Sequence, residues 1–442
     1  MRILLDAYFD NNFGDDLFAD TLLTRYPQEQ FYVFWDKVHP DVLARTMRYR
    51  NMVVLPGSCT MRSGLPFDGY IMIGGDVLPD GVDYSRRIGG MKWVKESGGF
   101  VAMLGFSLYE HYGEKTRGDL RTMASLADSI VTRDKASAER FKMLVPEASV
   151  TESTDMAFTL PHMAAEEKRA PILGIAPRRK LYSTDQEHED FCSAMAAVAD
   201  GWLKGHPDGI VRFLALSTGE YDDRVTSRDI IGRMTKKTQT EIVSHTDQVE
   251  EFLAQVRQCT ALVPTRFHAL VFALIYGIPF VPVPYEVKLT QLLDEVGYAG
   301  MRIPYGRPVS EEMAAQAVRD LEQKQTDPEK VAGYCAKADV FFTDTDRLIA
   351  AIQPCRAENL HSFGCSMHSE NEALKTENAQ LTRDREYLQN QVKALTEWVQ
   401  SLQKERQAFE DQNRELEAIR VQQAEQIEKL SRRSPLAKLL GK

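Results

Sequence analysis

Short, wholly apolar runs alternate with longer amphipathic stretches from the first residue to about residue 350. Ile3–Tyr8, Phe31–Trp35, Met52–Leu55, Tyr70–Ile73, Phe100–Leu104 and Ile130–Thr132 form one series of strand-length runs. Ile172–Ala176, Val211–Ser217, Ile242–Ser244, Ala261–Pro264 and Pro279–Val283 form a second. Runs that are apolar at every position suit parallel strands covered on both faces. Phe18–Tyr26, Phe191–Leu203, Val249–Gln258 and Leu289–Val296 carry helical periodicity between them, and helices Ser310–Gln325 and Pro328–Ala351 are expected to close the second half. The pattern predicts an α/β protein with two Rossmann-like domains, residues 1–165 and 166–353, facing each other across a cleft. Leu160–Pro171, with two prolines and a charged run, reads as the linker between them.

The period changes after residue 353. Residues 354–368 read as a loose connector. Then Leu374, Leu381, Leu388, Leu395, Leu402, Phe409, Leu416 and Leu430 recur at multiples of seven, with Gln423 in the one gap. Val392, Val399, Ile427, Asn378 and Asn413 follow four residues after several of them. Leucine at d with Val, Ile and occasional Asn at a predicts a parallel two-stranded coiled coil over 369–432, and hence a homodimer. The basic tail, 433–442, has three leucines and no acid. It suits either an anionic membrane surface or a frayed terminus.

Net charge is −10, which argues against nucleic acid as the main partner. The six cysteines include no CxxC pair, so reduced thiols are expected, with no disulfide framework and no metal site. The start, Arg2-Ile3-Leu4-Leu5-Asp6, reads as a strand and not as a secretory signal. A cytoplasmic protein is expected, with peripheral membrane contact by the tail as an option.

Candidate chemistry gathers after the strands, where open α/β sheets bind ligands. Asn11-Asn12-Phe13-Gly14-Asp15-Asp16 follows the first strand, with Asp15 or Asp16 as the helix cap. Gly74-Gly75-Asp76 follows another, where missing side chains let backbone amides approach a ligand. Arg133-Asp134 reads as a structural ion pair, and Arg178-Arg179-Lys180 as an anion site or a solvated loop. Arg266 and His268 stand inside an apolar run, with Lys288 just beyond it. Because no acid lies between Thr260 and Tyr285, a bound anion is the expected partner of these cations.

In order, Asn12-Phe13-Gly14-Asp15, Gly74-Gly75, Arg133-Asp134 with Ser137, Thr154-Asp155-Met156-Ala157-Phe158, Arg266-Phe267-His268 and Tyr285 with Lys288 resemble the polysaccharide pyruvyl transferase family. The resemblance covers residues 1 to about 350, and Asp76 departs from a glycine common in relatives. It implies a GT-B-type arrangement and transfer of a pyruvyl group from phosphoenolpyruvate to hydroxyls of a glycan or lipid-linked sugar, forming a ketal. It implies no cofactor. Arg266, Arg178 or Arg179, Lys288, Asn12, Gly74 and Gly75 are the expected substrate-binding residues. His268 is the expected proton donor, and Asp15 or Asp16 the acceptor of the sugar proton. Two other readings stand beside it: a glycosyltransferase using a nucleotide sugar, and a non-catalytic coiled-coil scaffold of a glycan assembly complex.

Overall fold

Two all-parallel sheets carry the site. The protein is described from a computed structural model over residues 1–9, 12–34, 49–55, 67–161, 170–180, 183–218, 222–245, 249–323, 326–352, 407, 416–417 and 419–429. The first sheet has β1 (Arg2–Asp6), β2 (Gln30–Phe34), β3 (Met52–Leu55), β4 (Gly69–Ile73), β5 (Phe100–Phe106), β6 (Ser129–Thr132) and β7 (Thr151–Glu152) in the order β3-β2-β1-β4-β5-β6-β7. The second has β8 (Ile172–Ala176), β9 (Ile210–Ala215), β10 (Thr240–Ser244) and β11 (Ala261–Pro264) in the order β10-β9-β8-β11. Every pairing is parallel. β4, β5 and β6 are buried at every residue, as expected for strands with helices on both faces.

Pro279–Val283 does not form a full strand. It runs beside β11 through a single bridge, Leu262 to Phe280, with backbone bonds from Val281 N to Leu262 O and from Val283 N to Pro264 O. Pro279, Pro282 and Pro284 have no N–H, which keeps the segment at the sheet edge.

Local signals set the helix starts. Helix Phe13–Arg25 begins earlier than the apolar pattern indicates, because Asn12 caps it by accepting from Gly14 N. Asp15 and Asp16 occupy its first turn, favoured by the helix dipole, but neither is the cap. Helix Asp185–Gly205 starts at a capping box, Thr184 with Glu187, two turns before the apolar face shows itself.

The C-terminal helices divide between the halves. Ala314 and Ala317 of helix Glu311–Asp320 join the core under the second sheet. Pro328–Ala338 and Val340–Ala351 cross back to the first instead of closing the second. Ser153 Oγ donates to Lys337 O, Thr154 Oγ1 to Tyr334 O, and Ser129 Oγ to Asp344 at 2.5 Å. Phe341 and Leu348 belong to a core that also contains Ile3, Leu104 and Phe272, so the two sheets share packed interior. Phe13 pins them further. Its N–H donates to Leu216 O at 2.8 Å, and its ring meets Phe252 at 4.6 Å and Phe272 at 5.8 Å.

Residues 1–359 form one compact unit and 360–442 another. The connector 354–368, the tail 433–442 and the boundary at 165/166 lie outside the described residues. So does the expected coiled coil, except for short helical pieces such as 419–429, whose side chains are exposed.

Candidate active site

A cavity of about 610 Å³ opens between the carboxyl ends of the two sheets. Its walls include Asn12, Asp15, Gly75, Asp76, Arg133, Arg178, Arg266, His268 and Lys288, drawn from both halves.

The glycines are there for side chains rather than for backbone amides. A Cβ on residue 14 would lie 2.1 Å from the His268 ring, and one on residue 75 would lie 2.1 Å from Arg133 Nη1. Glycine lets an imidazole and a guanidinium lie against backbone at these two points. Gly74 does not line the cavity; its φ of 142° places it in the region that favours glycine.

Arg266 is not waiting for an anion. Its Nη2 lies 2.5 Å from Asp223 Oδ1, and Asp223 also accepts the backbone N–H groups of Leu216 and Ser217 at 3.0 Å each. The partner sits 43 residues away in sequence, on helix Asp223–Arg233, so the absence of a local acid was no guide. Burial pushes the Asp223 carboxyl up, against the pull of Arg266. The guanidinium still forms part of the cavity wall.

Arg133 and Asp134 are not an ion pair with one another. Asp134 caps helix Lys135–Leu144 by accepting from Ser137 N at 2.7 Å. Arg133, 7 % exposed, reaches Asp76 Oδ1 at 3.2 Å and Asp155 Oδ2 at 3.7 Å, and donates from Nε to Ser107 Oγ at 3.0 Å. Across the cavity Lys288 Nζ lies 2.9 Å from Asp76 Oδ2 and 3.0 Å from Glu286. Burial opposes ionisation of Asp76, but Arg133 and Lys288 outweigh it and hold its carboxyl well below the usual carboxylate range. The Phe267 ring lies between these cations, 5.2 Å from Arg133 Cζ and 6.0 Å from Lys288 Nζ.

Only one of the two neighbouring arginines reaches the site. Arg178 lines the cavity, with Cζ 5.9 Å from the Tyr285 ring centre. Arg179 is exposed and bonds Asp185 Oδ1 at 2.7 Å. Likewise Asp15 lines the cavity and accepts from Asn12 Nδ2 at 2.8 Å, while Asp16 turns away toward His245, whose Nε2 is 3.3 Å from it. Asp16 therefore leaves the set of candidate proton acceptors.

His268 is the second residue of helix Phe267–Ile275 and is mostly buried, with Nε2 3.7 Å from Asp155 Oδ1. Asp155 lies within the Thr154-Asp155-Met156-Ala157-Phe158 motif, but the residues alone give it no role. Its partners come from separate elements, and no spacing in the chain signals that. Burial opposes its charge, yet His268, Arg133 and the Ala157 N–H hold its carboxyl below the usual range.

Away from the cavity, His188, Cys192 and Asp229 place ligand-type atoms within 4.8 Å of one another, a grouping the cysteine spacing did not reveal. Burial pushes the Cys192 thiol up to about 12, which opposes the thiolate a metal would need. Among the described residues, Cys192, Cys259 and Cys335 form no disulfide.

Two parallel sheets with a ligand-sized cavity between their carboxyl ends define an α/β protein of the GT-B type. The UDP-GlcNAc 2-epimerase of Neisseria meningitidis, solved with UDP-GlcNAc, superposes with a TM-score of 0.51 at 8% identity, over 78% of this chain and 100% of that one. HepE of Anabaena, solved with UDP and glucose, gives 0.42 at 11% identity over 78% and 94%. The sucrose-phosphate synthase of Thermosynechococcus elongatus gives 0.45 at 12% identity over 79% and 100%. The first of these likenesses describes the fold alone. The chain belongs to the polysaccharide pyruvyl transferase family, whose model matches residues 5–287. No curated protein matches it.

Proposed function

We propose that this protein transfers the pyruvyl group of phosphoenolpyruvate to two hydroxyls of a glycan or lipid-linked sugar, forming a ketal and releasing phosphate. One observation carries the reading beyond family membership: Arg133, Arg178, Arg266, Lys288 and His268 converge on one cavity from both halves of the molecule. Phosphoenolpyruvate carries a carboxylate and a phosphate, and guanidinium groups bind both in a fork, with each charge-assisted hydrogen bond contributing about 1.5–3 kcal/mol.

In this reading Arg178 and Arg266 hold the donor from the second half, and Lys288 leaves Asp76 to meet an anionic oxygen. His268 gives a proton to the terminal vinyl carbon, so positive charge develops at the adjacent carbon. A sugar hydroxyl adds there, its proton passing to Asp15. The carbon–oxygen bond to phosphate then breaks, phosphate leaves with the bonding pair, and a second hydroxyl closes the ring, its proton passing to the departing phosphate. Positioned acid–base help of this kind contributes about 10²–10⁴-fold. The donor is already activated, so the reading calls on no cofactor.

Cytoplasmic placement, homodimerisation through 369–432 and membrane contact by 433–442 remain part of the proposal. The described residues include no helix long and apolar enough to cross a membrane. The test is to incubate the purified protein with phosphoenolpyruvate and a panel of glycan acceptors and to follow phosphate. Acceptor-dependent release is the expected result. Release of nucleoside diphosphate from a sugar nucleotide instead would replace this reading with a glycosyltransferase, and inertness of the folded protein with a scaffold.

A further inference from the structure

His268 belongs to the second half of the molecule, yet the first half holds its ring. The Cε1–Nδ1 edge lies against Gly14, and the ring of Phe18 meets it edge-on at 5.4 Å between centres. On the other edge Nε2 faces Asp155 Oδ1 at 3.7 Å. Asp155 is 2 % exposed and fixed by the cap it provides to the short 3₁₀ helix Met156–Thr159, accepting from Ala157 N at 2.9 Å. Neither His268 Nε2 nor Asp155 Oδ2 has a hydrogen-bond partner.

A ring nitrogen facing a buried carboxylate can be satisfied by it only while carrying a proton. A small approach of the two groups converts the 3.7 Å pair into a charge-assisted hydrogen bond, and the unsatisfied Nε2 favours that approach. The exchangeable nitrogen is then Nδ1, beside the start of helix Phe13–Arg25, where Asn12 and Asp15 border the cavity. The remaining charges near His268 are few. Arg133 Nη1 is 3.7 Å from Asp155 Oδ2 and shares its charge, Asp15 borders the Nδ1 side, and Arg266 is neutralised by Asp223.

We propose that Asp155 is a positioning residue, which keeps the proton of neutral His268 on Nε2 and turns Nδ1 to the cavity as the atom that gives up and regains the catalytic proton. The imidazolium passes its Nδ1 proton to the vinyl carbon of the donor and becomes the neutral Nε2–H form; the proton that Asp15 accepts from the first sugar hydroxyl returns to Nδ1 and restores it. Because Asp155 and His268 come from different halves, this pair exists only when the two sheets are packed together. The inference rests on the pyruvyl-transfer reading for its catalytic part, but not for the tautomer.

The test uses full-length protein with ¹⁵N-labelled histidine, wild type and Asp155→Asn, each read by NMR without substrate and by phosphate release from phosphoenolpyruvate across pH. His268→Gln assigns the signal. The wild type should show the Nε2–H neutral tautomer. Asp155→Asn should lose that preference and change the pH profile of phosphate release. Its kcat should fall about 10²–10⁴-fold with KM for phosphoenolpyruvate close to wild type. An Nδ1–H tautomer in the wild type, or an unchanged tautomer and pH profile in Asp155→Asn, overturns the proposal. If Asp155→Asn does not fold, the wild-type tautomer alone decides. Absence of phosphate release in the wild type would remove the pyruvyl-transfer reading while NMR still judged the pair.

Discussion

The ring of His268 occupies the space where a Cβ on residue 14 would lie, with Cε1 and Nδ1 both 2.1 Å from that point. A motif glycine in one half and a motif histidine in the other are thus two sides of one contact. Gly14→Ala should push the ring off its place while leaving the N-cap at Asn12 intact. We expect kcat to fall about 100-fold or more, since small misplacements of reacting groups cost that much, with far-ultraviolet circular dichroism unchanged. Wild-type turnover in the alanine variant would show that the ring position is unimportant.

Arg178 and Arg179 offer a matched pair of substitutions. Arg178→Ala removes a cavity guanidinium, whereas Arg179→Ala removes a partner of exposed Asp185. Loss of one charge-assisted hydrogen bond should weaken phosphoenolpyruvate binding about 10- to 150-fold in the first. The second should bind like wild type. Titration calorimetry separates the two, and equal affinities would take Arg178 out of the donor site.

Asp223 is the counter-charge of buried Arg266, and its replacement should register in stability before activity. Asp223→Ala strands a guanidinium that is 6 % exposed and leaves two backbone N–H groups without their acceptor. Breaking a buried pair in this way costs about 3–5 kcal/mol. Denaturant unfolding of residues 1–359 should show a loss of that size; a shift below about 1 kcal/mol would mean the pair is not structural.

Asp76 links Arg133 of the first half to Lys288 of the second. Its carboxyl ionises at lower pH in the folded protein than in the unfolded chain. In the acid range the unfolded chain therefore binds more protons, and stability rises with pH there. The contribution is complete above the ordinary carboxylate range, about pH 4, and is lost as pH falls through the folded value. Asp76→Asn should flatten the decline in urea midpoint below about pH 5. A variant that tracked wild type throughout would assign the acid sensitivity to other carboxylates.

Residues 1–359 hold both sheets and the whole candidate site. Deleting 369–442 should therefore leave phosphate release largely intact while light scattering shows the proposed dimer becoming a monomer. A truncated protein that stayed dimeric would place the dimer contact elsewhere.

What the sequence determined by itself was the order of the elements. Apolar runs mark the buried parallel strands because both faces of such strands meet helices, and the positions of all but β7 and the proline-rich edge could be read that way. β7 has only Thr151 and Glu152, too short for any period to show. Motif order located Arg266, His268 and Lys288, because strand ends in open α/β sheets carry the ligand-facing loops. Pairing was decided only by the tertiary structure. Asp223 for Arg266, Asp76 for both Arg133 and Lys288, and Asp155 for His268 come from elements remote in the chain. Electrostatic and steric contacts act over a few ångströms of space, however many residues of chain lie between the groups. For the same reason the fold alone separated Arg178 from Arg179 and Asp15 from Asp16: neighbours in sequence can point to opposite sides of a loop or helix, and only one of each pair meets the cavity.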